Sequence, residues 1–349
     1  MNDRKTEHGP QEYERRLRHF SLIVLLLLAL LITGILISFG IGRFPINPKE
    51  LLAAILPSSW NIADVTDQMR AILFNVRLPR ILLACLVGCC LSAAGASYQG
   101  VFQNPMASPD ILGASSGAAT GAALALLMQL SSQMVMLFAF IGGLITISLV
   151  MLVSRTARGN KLLRIILAGI MISALCNAGT SFIKLVADPN NVLPEITYWM
   201  MGSLAKTKLT DVEFAMIPML IGLIPLFLLR WRVNLLTLSD REARTMGINV
   251  GAIRIVVIIC ATLITAASVA VSGLIGFVGL VVPHLARKFV GNNYRHLLPV
   301  SMIGGALFLL IVDNISRNLM VTEIPIGILT AIIGAPFFIW MMSRRSDAL

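Results

Sequence analysis

The sequence predicts an all-α polytopic membrane protein of about ten transmembrane helices, with both termini cytoplasmic. Three observations carry that prediction. Hydrophobic residues make up 57% of the 349-residue chain and charged residues 13%, about half the charged share of a soluble domain. Apolar runs long enough to cross a bilayer recur from end to end. The basic residues gather in alternate segments between those runs, as membrane topology requires.

Candidate spans cover about 20–42, 79–102, 110–130, 133–153, 162–187, 211–229, 252–272, 275–290, 297–317 and 324–343, with ends good to about two to four residues. Residues 1–19 form a charged tail and 20–345 a single membrane domain. The first apolar run is too long for a signal-peptide core and lacks an A-x-A cleavage site. The Arg15-Arg16 pair before it therefore reads as a cytoplasmic anchor.

Orientation follows from charge. With the N-terminus inside, the inner segments hold Arg4, Lys5, Arg15, Arg16 and Arg18, then Arg155, Arg158, Lys161 and Arg164. They also hold Arg230, Arg232, Arg241, Arg244 and Arg254, then Arg287, Lys288 and Arg295, and finally Arg344 and Arg345. The formal net charge of +11 would suggest nucleic acid in a soluble protein. Here lipid topology accounts for it, and no platform of aromatic and basic residues for bases is present. The five cysteines, Cys85, Cys89, Cys90, Cys176 and Cys260, all lie in apolar runs. They read as small packing residues, not as a disulfide framework or a metal site.

The second span carries small residues at four-residue spacing: Ala84, Gly88, Ser92, Ala96 and Gly100. After the break Gln103-Asn104-Pro105, a second set follows at Gly113, Gly117 and Gly121. Each set occupies one helix face and admits a close neighbour, which generic membrane-helix packing also explains. A weak internal repeat is visible. Arg80 precedes the first small-residue helix, and Arg254 precedes Ser268, Ser272, Gly273, Gly276 and Gly279, ending at Pro283-His284. The halves would start on opposite sides, the trace of an inverted repeat, although chance likeness between apolar helices gives the same pattern.

Catalytic machinery is not legible. There is no G-x-x-x-x-G-K-[ST] loop, no H-E-x-x-H and no serine triad, so no catalytic or metal-ligating residue is assigned. His284, without a second ligand at suitable spacing, reads as structural. In the inner loop 230–254, Ser239-Asp240-Arg241-Glu242 is a capping box and Gly247 suits a left-handed C-terminal position. This predicts a short helix over Asp240 to Met246, either a docking element or a solvated connector. Arg77, Arg80 and Arg317 oppose the positive-inside bias. They read either as a basic ring for an acidic partner or as helix-end groups paired with Asp313 or Glu323. Intramembrane charge is sparse, Lys184 and Asp313 being the main cases, which argues against ion coupling.

These residues resemble the FecCD-type permeases, the membrane subunits of ATP-binding cassette (ABC) importers for ferric siderophores, haem and vitamin B12. The likeness rests on RLPR (Arg77 to Arg80), QNPMASPDILGASSGA (Gln103 to Ala118), LSDREARTMGINV (Leu238 to Val250), GLIGFVGLVVPHLAR (Gly273 to Arg287) and EIPIGILTAIIGAPFFIWMM (Glu323 to Met342), spanning about residues 70–342. The resemblance implies a type II importer fold with an inverted repeat, paired as a homodimer or with a homologous permease, and a pathway along the dimer axis. It implies two ABC ATPase subunits below, which bind the ATP and Mg, and no cofactor in this subunit. An extracytoplasmic substrate-binding protein would dock above, on Arg77, Arg80 and Arg317. The ATPase would dock on Ser239, Asp240, Arg241, Glu242, Arg244, Met246 and Gly247. The matching cytoplasmic gate is Asn104 and Met106, with Leu162 and Leu163 from the loop before span five. Gly88, Ser92, Ala96, Gly100, Gly113 and Gly117 would serve packing.

Cargo stays open at this level. A ferric siderophore comes first on family frequency, with haem, cobalamin and molybdate as alternatives. The rival from another class is an ion-coupled secondary transporter. A membrane-embedded enzyme lacks clustered catalytic groups.

Overall fold

Membrane-length helices dominate because a chain in hydrocarbon must satisfy every backbone group internally. The computed structural model describes residues 8–42, 44, 46–55, 66–156, 161–237 and 249–345. In chain order the helices are α1 (His8–Gly40), α2 (Pro48–Ile55), α3 (Asp67–Ala71), α4 (Leu78–Val101), α5 (Ala114–Leu127), α6 (Ser132–Thr156) and α7 (Lys161–Val186). They continue with α8 (Val192–Met200), α9 (Leu209–Val233), α10 (Val250–Ser272), α11 (Val278–Val290), α12 (Tyr294–Asn318) and α13 (Ile326–Arg345). No strand occurs among the described residues. The docking helix expected at Ser239 to Gly247 lies outside them.

A helix coincides with each expected span, but by length and apolarity seven of those described can cross a membrane alone. The exceptions include α5 and α11, of 14 and 13 residues. At 1.5 Å per residue each reaches about 20 Å, short of a ~30 Å hydrocarbon core. They are half-helices. α5 follows the irregular stretch 102–113 and α11 follows 273–277.

The second span begins earlier than its apolar pattern suggests. α3, a π-helical turn at Ile72–Arg77 and α4 form one continuous helix, Asp67–Val101. Thr66 caps it, its Oγ1 accepting from the Met69 N–H at 3.3 Å. The ladder loosens to the wider π register just before Pro79, which has no N–H to donate.

The centre of the molecule is α4 and α10. Of their apolar windows, 78% and 72% are buried, against 0% for α1 and 17% for α7. Small residues make this possible. A Cβ on Gly88 would overlap the Gly305 carbonyl of α12, and one on Gly95 would overlap the Gly279 peptide of α11. Ser92 and Ala96 on the same helix are fully buried, and Ser92 faces Gly305. Gly100 sits against Val233 and Tyr294, Gly117 against Thr146 and Gly142, and Gly113 precedes α5 at φ 77°. Along this stripe the glycines meet neighbouring helices directly.

α4 and α10 run antiparallel. The start of α4 meets the end of α12 through Arg80 and Asp313, while its last turns meet α11 through Gln99. The end of α10 lies instead with the start of α13, since Ser203 N donates to Ser272 O and Ile326 N to Gly202 O, both at 2.8 Å. Each of these two long helices is followed by a half-helix, and the half-helices begin near one another, Pro109 against Gly279.

Candidate functional site

Two polar clusters mark the ends of α4, and the half-helices lie between them. At the first end Arg80 is held by two acids. Its Nε donates to Asp313 Oδ1 and its Nη1 to Glu323 Oε2, both at 2.9 Å. Arg317 Nε lies 3.4 Å from Asp313 Oδ2, one helical turn away on α12. Arg317 Nη2 also donates to Ser38 Oγ at 2.7 Å and to Asn314 Oδ1. Arg77 reaches across to the carbonyls of Phe39, in the last turn of α1, and of Phe44, beyond its end.

This geometry is that of helix-end groups paired inside the subunit, one of the two readings the sequence allows. Arg77, Arg80 and Arg317 are only 4%, 5% and 8% exposed, and Asp313 is 0% exposed. A guanidinium at low dielectric needs a counter-charge. Here Asp313 and Glu323 supply it inside the subunit, for Arg80 and Arg317. Glu323, on the α12–α13 connection, is the outermost acid of the cluster, its side chain 23% exposed.

At the opposite end the chain turns from α4 through Gln103, which adopts a left-handed φ of 51°. Gln103 Nε2 donates to Leu236 O at 2.7 Å. Asn104 Oδ1 accepts from the Met106 N–H at 2.9 Å, a side-chain turn that fixes this loop. Asn104 is exposed and Met106 half-buried. Leu162 packs against the core, whereas Leu163 is 54% exposed. The four residues expected at a gate therefore occupy two elements, the α4–α5 loop and the first turn of α7.

Between the ends lies a group that sequence reasoning left at a span boundary. Asp110, in a single 3-10 turn (Pro109–Leu112), shares a small recess with Leu91, Phe277 and Gly279. The next residue, Ile111, abuts Gly169. Leu91 and Gly169 belong to the middle turns of α4 and α7, so this carboxylate sits at mid-depth. It accepts from Ser115 Oγ and is exposed on the subunit surface. The outward face of α7 carries Ala174, Asn177, Ala178 and Ser181, all exposed. Amides and carboxylates face lipid only at high cost, so these groups point to a face that another surface or water covers.

Sequence reasoning also missed Gln99, Arg287 and Tyr294. Gln99, 2% exposed, donates to Gly279 O at 3.2 Å and accepts from Arg287. Arg287 Nη2 donates to Tyr294 Oη at 3.2 Å. A signal was present: a long amide on an otherwise small-residue face, and a proline four residues after Gly279.

Comparison with known proteins adds a family. A model described as the FecCD transport family matches residues 30–344. The molybdate import system permease protein MolB of Haemophilus influenzae is 40% identical over 313 residues, 90% of this chain and 92% of that protein. The hemin transport system permease protein HmuU of Yersinia pestis is 38% identical over 335 residues, 94% of this chain and 95% of that one. A solved metal-chelate type ABC transporter in an inward-facing conformation superposes with a TM-score of 0.84 at 37% identity. That match covers 93% of this chain and 99% of the other.

Proposed function

The chain belongs to the FecCD transport family, and on that premise we propose that it forms a homodimeric importer core for a metal chelate, fed by an extracytoplasmic binding protein. It is a multi-pass membrane permease of the ABC type, the transport subunit that works with a separate ATPase. The observation that carries the proposal is the family match over residues 30–344, on a fold with paired half-helices at mid-depth. The exposed stripe of small and polar residues on α7, Ala174, Asn177, Ala178 and Ser181, supports a pathway on the dimer axis, because a second copy and the cargo route would cover it.

The charge bias supports an outside Arg80 end and an inside Gln99 end. In that orientation the cluster of Arg77, Arg80, Arg317 and Glu323 lies where a binding protein would dock. Asn104, Met106, Leu162 and Leu163 are then assigned to an inner gate, and Ser239 to Gly247, outside the described residues, to ATPase binding. Ferric siderophore is the first cargo reading. Molybdate is the second, favoured by the likeness to MolB. All chemistry on ATP is assigned to the partner subunit, and this chain to the moving pathway.

Reconstitution tests the reading. Proteoliposomes holding the permease, its ATPase and its binding protein are given ferric siderophore, haem, cobalamin and molybdate in turn. ATP-dependent uptake of one of them is the expected result. Uptake that persists without the ATPase, driven by a proton or sodium gradient, overturns it in favour of a secondary transporter.

A further inference from the structure

α11 contains Pro283 in its interior. A prolyl nitrogen carries no hydrogen, and the proline ring pushes away the carbonyl four residues earlier. That carbonyl belongs to Gly279, and the helix offers it no donor. In an apolar interior an unpaired carbonyl forfeits the hydration it would have in water. The missing donor comes from another helix: Gln99 Nε2 of α4 donates to Gly279 O at 3.2 Å.

The approach is prepared one turn away on α4. Gly95 lies directly against the Gly279 peptide, where no Cβ fits, and this brings Gln99 within reach of the carbonyl. The other end of the Gln99 amide is also used, Oε1 accepting from Arg287 Nη1. One acceptor and one donor on opposite sides fix which way the amide faces. Gly279 precedes Pro283 and Arg287 follows it, so this single buried side chain bonds both arms of a proline-interrupted half-helix. Beyond it, Arg287 Nη2 donates to Tyr294 Oη at 3.2 Å. The Tyr294 N–H donates to Asn234 Oδ1 at 2.7 Å, where α9 ends.

We propose that Gln99 is a positioning residue for transport, a releasable brace across a hinge at Pro283. Bending α11 at this point starts from a helix that already lacks the bond from residue 283 to Gly279, and it exchanges the side-chain bond to Gln99. The N-terminal arm of α11 holds Leu280 beside Asp110 at mid-depth, and the C-terminal arm holds Arg287 near the end of α9. A movement at the α9 end is thereby passed to the mid-depth half-helix. This rests on the permease reading above.

The test needs no identified cargo. The permease is purified with its ATPase in nanodiscs, in a cysteine-free background, with spin labels at Leu82→Cys and Phe289→Cys, both exposed positions. The label distance is read with and without ATP–vanadate, beside the thermal midpoint. The unsubstituted hinge is expected to change distance on ATP. Pro283→Ala returns a backbone donor to Gly279; it should abolish that change without lowering the midpoint. Gln99→Leu should lower the midpoint and broaden the distance distribution. The double variant should regain the midpoint while staying immobile, a rescue that a general packing role for Gln99 does not produce. A Pro283→Ala permease with the full ATP-dependent change overturns the hinge, as does an immobile wild type whose ATPase is turning over. A Gln99→Leu permease with unchanged midpoint and distribution overturns the brace. Failure of any ATPase to co-purify is a different result; it overturns the permease reading and the brace's role with it.

Discussion

Arg80 and Asp313 meet at 2.9 Å across the contact of α4 with α12, and the carboxylate is wholly buried. Breaking a buried pair by removing one partner costs about 3–5 kcal/mol, because the remaining charge is stranded. Asp313→Asn keeps the shape but leaves Arg80 and Arg317 close together with only Glu323 to balance them. Its denaturant midpoint in detergent should fall accordingly, and an unchanged midpoint would show that the cluster does not hold these helices together.

The same cluster changes what a charge-reversal experiment reads. Arg80→Glu would set three carboxylates side by side, so it should lower the yield of folded permease–ATPase complex before docking is ever measured. If the variant assembles at wild-type yield and loses only capture of the binding protein, Arg80 is a partner contact and its internal pairing is dispensable.

Close packing along α4 gives a steric prediction. Gly88→Ala and Gly95→Ala each force a Cβ into a neighbouring backbone, and overpacking of this kind costs about 1–3 kcal/mol. Gly276 has open space around its Cβ position, so Gly276→Ala should stay within about 0.5 kcal/mol of wild type. Thermal unfolding of the three variants distinguishes tight packing from a general intolerance of substitution.

The exposed stripe of α7 predicts a pattern of chemical access. In a cysteine-free background, Asn177→Cys and Ser181→Cys should react quickly with a charged, membrane-impermeant thiol reagent in the assembled transporter. Met171→Cys and Leu175→Cys, among the apolar residues of the same helix, should react slowly. Equal rates at all four positions would return the whole face to lipid.

The segment between α9 and α10 supplies a last prediction. Joint replacement of Glu242 and Arg244 by alanine should leave membrane insertion intact and impair cargo-stimulated ATP hydrolysis. Normal stimulation would make Ser239 to Gly247 a connector.

Much of this molecule was legible before any coordinates. Apolar run length located the helices, since hydrocarbon thickness fixes how many residues a span needs. The small residues of α4 and α5 announced close packing, and Gly88 and Gly117 do lie against neighbouring backbone. The sequence offers Asp313 and Glu323 as partners for Arg80, yet sequence spacing cannot choose between an inward and an outward guanidinium. Span length by itself does not show that α5 and α11 are short. Their apolar runs continue into a 3-10 turn at 109–112 and irregular backbone at 273–277, and hydropathy does not distinguish a half-helix with such an extension from a full crossing.

By itself the sequence determined that this chain lives in a bilayer as a bundle of helices, which stripes pack closely and which family's motifs it carries. Those properties follow from composition and periodicity, which act locally along the chain. Tertiary packing alone turns the three arginines inward, sets Asp110 at mid-depth and brings Gln99 to Gly279. Each depends on residues far apart in the chain, 233 positions for Arg80 and Asp313 and 180 for Gln99 and Gly279. In hydrocarbon a polar group takes whichever partner the fold brings within reach, and that is settled by packing, not by sequence neighbours.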